Sequence, residues 1–164
     1  MTVYWLDADV CIQSKNEETG AYPFSRMGKF WAYLSHQVDS GIVKAPLKVY
    51  EEISQGNDQL AEWFRDREDR GLCIKPTPDV WDCVGKISDF VEKRWKDRKA
   101  RMFLDGADCF VLAHAKAMGS DGVVVSAESL RKQNSIVKIP AVCGALEIEK
   151  ITIFQMLNRL GATF

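Results

Sequence analysis

Val123-Val124-Val125-Ser126-Ala127-Glu128 is the stretch on which the reading of this chain turns. Consecutive valines leave no polar face for water, so the strand they form is buried on both sides. That is the pattern of a parallel sheet covered by helices, not of a half-solvated antiparallel one. The run stops at Ser126, and an acid stands two residues on. A second strand of this kind opens the chain at Val3 to Leu6 and is closed by Asp7, with Asp9 two residues further. Ile42 to Ala45 and Leu72 to Ile74 are further short β-prone runs, and another strand is expected near Glu147 to Lys150.

Helical spacing fills the gaps. Met27, Phe30, Trp31, Leu34 and Val38 predict a helix from Ser25 to Val38, stopped by Ser40-Gly41. Leu47 to Ile53 follows Pro46, which is tolerated at a helix start. Asp58 to Arg70 turns Leu60, Trp63 and Phe64 inward. Trp81, Val84, Ile87, Val91 and Trp95 predict one long helix from Pro78 to about Arg98, and Asp105 to Met118 predicts another. Ile139 to Leu146 and Thr152 to Leu160 are expected helices near the end of the chain. Trp31, Trp63 and Trp81 are read as core residues. Strands alternating with helices predict an α/β fold with right-handed crossovers, in one domain spanning residues 1–164.

Composition sets bounds on function. Of 164 residues, 46% are hydrophobic and 27% charged, which is ordinary for a globular chain with its own core. The five cysteines are an odd number without a C-x-x-C pair, so neither a zinc site nor a disulfide framework is indicated. They read as reduced, mostly buried thiols. Asp7 and Asp9 interrupt the apolar N-terminus, no basic segment precedes it, and no run has membrane-spanning length; a cytoplasmic protein without a membrane segment is expected.

The net charge of −1 conceals an uneven distribution. Lys93, Arg94, Lys96, Arg98, Lys99 and Arg101 face a single acid, Asp97, in the same stretch, and Arg131, Lys132 and Lys138 form a looser group. Such a stretch suits sequence-independent phosphate contacts, with Trp95 offering a ring for a base. The plainer alternative is a solvated basic helix end with Trp95 in the core.

In open parallel sheets, sites form beyond the carboxyl ends of the strands. Asp7, Asp9, Glu51 or Glu52, Asp108 and Glu128 all fall there. Each acid alone has a local explanation as a cap or a first-turn residue. Together they do not, because two carboxylates about 4 Å apart repel by roughly 4 kcal/mol at an effective dielectric near 20. A cluster of them calls for raised pKa values or for a cation. An all-oxygen set favours a hard divalent ion, Mg²⁺ or Mn²⁺.

Four short segments resemble the motifs of PIN domains, VapC-like ribonucleases among them. Tyr4-Trp5-Leu6-Asp7-Ala8-Asp9-Val10-Cys11-Ile12 is similar to the opening motif, and Val49-Tyr50-Glu51-Glu52-Ile53 to the second, in which the glutamate before the aliphatic residue is Glu52. Ala107-Asp108-Cys109-Phe110-Val111-Leu112-Ala113-His114-Ala115 resembles the third, and Val123 to Glu128 the fourth. The resemblance implies a three-layer α/β/α sandwich around a central parallel sheet and Mg²⁺- or Mn²⁺-dependent hydrolysis of RNA phosphodiesters. It also implies the role of toxin in a toxin–antitoxin pair, an antitoxin partner and a homodimer. On this basis Asp7, Glu52 and Asp108 are expected metal ligands, Glu128 completes the set, and Ser126 holds a ligand or water. The chain departs from the pattern at Asp9, where asparagine is common, at Ser126, where threonine is usual, and at Glu128, which is longer than the usual Asp or Asn. Pro76 to Leu104 is long, and Lys138 to Cys143 points to an uncharacterised PIN-like subfamily. Two other readings compete. One is a haloacid-dehalogenase-like phosphatase, whose D-x-D opening Asp7 and Asp9 resemble; the other is a non-catalytic PIN-like binding module.

Overall fold

The valine run forms the strand its composition predicts, and the rest of the sheet is assembled around it. The computed structural model describes residues 1–15, 22–129 and 137–164. Strands β1 (Val3–Leu6), β2 (Val43–Pro46), β3 (Cys73–Ile74), β4 (Gly122–Val125) and β5 (Glu149–Ile151) pair in the order β3-β2-β1-β4-β5. Every pairing is parallel. β1 and β4 lie side by side in the middle with Leu6 opposite Val125, and all eight of their residues are buried.

The helices are α1 (Ala8–Lys15), α2 (Gly28–Asp39), α3 (Leu47–Ser54), α4 (Gln59–Arg65), α5 (Pro78–Arg94), α6 (Asp97–Asp105), α7 (Ala107–Ala117), α8 (Ile139–Leu146) and α9 (Ile153–Arg159). Side chains alternate across a strand, so β1 shows which helix covers which face. Trp5 points to α7: its ring is 4.4 Å from that of His114, and its Nε1 donates to Met118 Sδ at 3.3 Å. α5 and α6 pack outside α7. Tyr4 and Leu6 point the other way and are equally buried, Tyr4 beside Arg159 of α9. α2 joins this layer, since the Tyr33 hydroxyl donates to the carbonyl of Leu160 just past α9. The result is the expected three-layer α/β/α sandwich with a central parallel sheet.

Gly122, at the start of β4, has a steric reason to be glycine. A Cβ there would sit 2.1 Å from the carbonyl oxygen of Ala115, so α7 meets β4 at backbone contact.

Several sequence expectations need correction. The predicted helix from Pro78 to Arg98 ends at Arg94, where Trp95 and then Lys96 become extended, and α6 starts at Asp97. The break lets Ala100 and Phe103 turn into the core, 2% and 4% exposed. Trp81 is 54% exposed and not a core residue, whereas Trp31 and Trp63 are buried at 4% and 6%. The inward stripe of α5 is Val80, Cys83, Ile87 and Val91. Val80 takes the inward position at its start and leaves Trp81 turned about 100° away. The segment expected as one helix over Asp58 to Arg70 is α4, capped by the Asp58 carboxylate on the Ala61 amide at 2.9 Å, followed by a separate 3₁₀ turn at Glu68–Arg70. α7 begins at Ala107, not at Asp105, which ends α6 and is exposed.

All five cysteines are free, Cys73 half-buried and the others buried. No helix among the described residues is long and apolar enough to cross a membrane. Arg131 and Lys132 lie outside the described residues.

Candidate metal centre

The sheet order reverses direction between β1 and β4: β2 lies beyond one and β5 beyond the other. In a parallel sheet this switch point leaves a crevice beyond the strand ends, because the chain departs to opposite sides from the two neighbours. Asp7 follows β1 directly, and Ser126 follows β4. The ladder continues for one more bond, from the Asp7 amide to the Val125 carbonyl at 3.1 Å.

Asp7 is buried, 1% exposed, and both of its oxygens are engaged. Oδ1 accepts the Asp9 amide at 3.1 Å, in the manner of an N-cap for α1, and Oδ2 accepts the Ser126 hydroxyl at 2.8 Å. Ser126 is itself fully buried, and its oxygen accepts the Glu128 amide at 3.1 Å. One hydroxyl thus ties the end of β1 to the loop after β4. The Glu128 carboxylate accepts the first amide of α8, that of Ile139, at 2.9 Å, and Lys150 of β5 donates to the Glu128 carbonyl at 2.6 Å.

These contacts bring Asp7, Asp9 and Glu128 together, each offering a carboxylate oxygen within 4.8 Å of the others. Asp9 is exposed and Glu128 half-buried, so the group opens to solvent on one side. Asp108 and Glu52 stand around this core without joining the three-oxygen set. Asp108 lies in the first turn of α7, half-buried, and is acted on by the charges of Asp7, Glu128, Asp9 and Glu52. Glu52 is exposed and accepts the Ala107 amide at 3.3 Å, at the very start of α7. Among the described residues no lysine or arginine forms an ion pair with any of these five acids.

The electrostatics follow from that packing. Burial raises the Asp7 carboxyl from its ordinary 3.8 to about 6; the Ser126 hydroxyl and the Asp9 amide oppose the rise, while the charges of Asp9 and Glu128 add to it. Asp108 is raised to about 7, first by burial and then by its acidic neighbours. Desolvated carboxyls without a paired cation pay for their charge in this way. The donor set suits a hard divalent ion, since it is all oxygen, pre-oriented and open on one face.

The expected substrate-positioning residues are also located. Lys93 and Arg94 end α5, Lys96 sits in the link, and Arg98, Lys99 and Arg101 lie on α6; all are exposed except half-buried Lys99. Trp95 is half-buried with its ring 5.9 Å from Phe90. Lys150 and the first amide of α8 were not anticipated as supports of the site. The only sequence signal for either was Pro140, which announced the start of α8.

The fold recurs in the crystal structure of VapBC2 from Rickettsia felis bound to a DNA fragment from their promoter. A chain of that structure matches with a TM-score of 0.54 at 11% identity, over 92% of this chain and 98% of that one. At this identity the likeness is one of fold, and the five-stranded all-parallel sheet flanked by helices is PIN-like. No curated protein matches the chain in sequence. A family model does match, over residues 4–164, and its description is a domain of unknown function, DUF4411. The match takes in β4, β1 from Tyr4 onward, all five acids and the last helix, and the chain belongs to the DUF4411 family.

Proposed function

We propose that this protein is a single-domain endoribonuclease dependent on Mg²⁺ or Mn²⁺, acting in the cytoplasm as the toxin of a toxin–antitoxin pair. The observation that carries the reading is the convergence of Asp7, Asp9 and Glu128, with Asp108 and Glu52 around them, at the switch point of a PIN-like sheet. The toxin role and an antitoxin partner rest on the likeness in fold to a VapBC2 chain, which is an analogy. A homodimer is proposed on the same footing.

When bound, a divalent ion in such a carboxylate set supplies an activated water and neutralises charge on a phosphodiester. The chain's own part is to aim its oxygens. Ser126 and the Asp9 amide fix Asp7, and the α8 amide fixes Glu128, so these carboxylates are already held by hydrogen bonds before a ligand arrives. Asp108, raised to about 7 in the metal-free protein first by burial and then by its acidic neighbours, would be drawn to its charged form by a divalent ion bound beside it. Lys93, Arg94, Lys96, Arg98, Lys99 and Arg101 give the RNA backbone a salt-sensitive attraction.

The test is cleavage of single-stranded RNA by the purified chain with Mn²⁺, with EDTA, and with Asp7→Asn and Asp108→Asn. Cleavage should require the metal, leave a 5′-phosphate and a 3′-hydroxyl, and vanish in both variants. Full activity in either variant would count against these roles. A beryllium fluoride adduct on the Asp7 carboxylate, the analogue of an aspartyl phosphate, would instead move the reading to a phosphatase.

A further inference from the structure

We infer that a cleft between α3, α5 and α7, one residue along α3 from Glu52, is a seat for one unpaired nucleobase of single-stranded RNA. The inference deepens the nuclease reading and rests on it for the identity of the strand. The cleft holds about 130 Å³, close to the roughly 150 Å³ in which an apolar protein cavity accepts a benzene ring. It is thus sized to take one six-membered ring of a base, the amino-bearing ring of a purine included, and not a whole purine.

Its lining is that of a base site. Trp81 stands 54% exposed on its wall, an unusual outlay of indole surface for a residue with no structural need of water. Phe110 meets Trp81 edge to face, with centroids 5.4 Å apart and planes at 88°, which holds the indole in place. Lys48, exposed, has its Nζ 5.9 Å from the centre of the Phe110 ring, so a cation stands at the rim where a phosphate would pass. Glu51, exposed, offers a carboxylate to an amino group on a base edge.

The independent observation is His114. It lines the same cleft and is 2% exposed, and its Nε2 has no hydrogen-bond partner among the described residues. Buried polar atoms are nearly always satisfied, so an orphan beside an aromatic cleft asks for a ligand. Burial, and then the charge of Lys44, lowers this imidazole to about 4, so it is neutral at physiological pH and puts no charge in the wall of the cleft. Glu51 precedes Glu52 on α3 with its side chain turned about 100° from it, so the cleft lies on the face of α3 next to the one that carries Glu52.

The full chain is titrated in EDTA with four labelled homopolymeric hexaribonucleotides, read by fluorescence anisotropy. Oligomers of A, C and G, whose bases carry an exocyclic amino group, should bind more tightly than oligo-U. Trp81→Ala should weaken the amino-bearing oligomers by about tenfold, the loss of one stacked base, and Glu51→Ala should erase the margin over oligo-U. Two results overturn the seat: no binding of any oligomer, or Trp81→Ala within twofold of wild type for all four. Cleavage with Mn²⁺ reports separately. A seat that binds without cleavage sinks the nuclease reading alone, and cleavage with unchanged base preference in Trp81→Ala sinks the seat alone.

Discussion

Replacing Asp7 with asparagine should stabilise the metal-free protein at about pH 8, the reverse of what most substitutions at a buried, hydrogen-bonded position do. Asp7 is raised from 3.8 to about 6, chiefly by burial. A carboxyl with a higher pKa folded than unfolded binds its proton more tightly in the folded state. The associated stability is fully present below about pH 4 and is lost as pH climbs through about 6. At about 1.4 kcal/mol per pH unit, ionising Asp7 removes about 3 kcal/mol from the metal-free fold by about pH 8.

Asparagine has no charge to desolvate. It keeps an oxygen for the Asp9 amide, but its amino group must replace an acceptor where the Ser126 hydroxyl now donates at 2.8 Å. Re-aiming that hydroxyl costs about 1 kcal/mol. The variant should therefore gain about 2 kcal/mol at about pH 8 and lose about 1 kcal/mol at about pH 4, where the wild-type side chain is already neutral. Urea denaturation in EDTA at the two pH values measures both. In Mn²⁺ at a hundredfold excess over its dissociation constant the wild type should gain about 2.7 kcal/mol and the variant far less. If the variant is less stable by the same amount at both pH values, and Mn²⁺ does not separate the two proteins, Asp7 is a structural cap and the charge argument fails.

Ser126→Ala leaves Asp7 without its hydroxyl donor and the Glu128 amide without its acceptor. Stability should fall by about 1–3 kcal/mol, and calorimetry should show Mn²⁺ affinity lower by about 10- to 100-fold; unaltered affinity would contradict the placement. Gly122→Ala forces a methyl against the Ala115 carbonyl and should cost about 3 kcal/mol or more in a denaturant titration, with loss of soluble expression an equally clear positive. Neutralising Lys96, Arg98 and Arg101 together should lower the slope of log affinity against log salt for RNA by about 2–3. An unchanged slope would remove them from the interface. Crystals soaked in Mn²⁺ should show an anomalous peak among Asp7, Asp9 and Glu128; a peak confined to exposed acids elsewhere would refute the assignment.

What could be read from the sequence follows from how local each feature is. β1 and β4 were legible because burial on both faces removes every polar residue, a signature the sequence carries without reference to its partners. The turn between α5 and α6 was not, because Trp95 and Lys96 are ordinary helix residues; only the demand of Ala100 and Phe103 for the core breaks the helix there. Trp81 misled for a related reason. Val80 and Trp81 are adjacent and both apolar, spacing alone does not say which faces inward, and the helix resolves the choice by hiding the smaller. The acids were recognisable as a set from their order on strand ends. Their supports were not, since the contact of Glu128 with α8 and that of Glu52 with α7 span 11 and 55 positions.

Those supports sharpen the argument about the site itself. Asp7 accepts an amide at the start of α1, Glu52 at the start of α7, and Glu128 at the start of α8. Each acid is therefore locally welcome, because a helix start presents free amides and a partial positive charge. Capping alone would be served as well by three helices starting far apart. Here the starts of α1 and α8 meet at one switch point, close enough to set Asp7, Asp9 and Glu128 within 4.8 Å of one another, and α7 brings Asp108 into their field. The helix ends offset part of the cost of these charges; the rest, burial first and mutual repulsion second, appears as the raised proton affinities of Asp7 and Asp108. A fold selected for stability alone would relieve that residue with one serine or asparagine. Its retention beside open solvent is what a divalent cation would account for, because the ion removes in one step the repulsion that no helix end reaches.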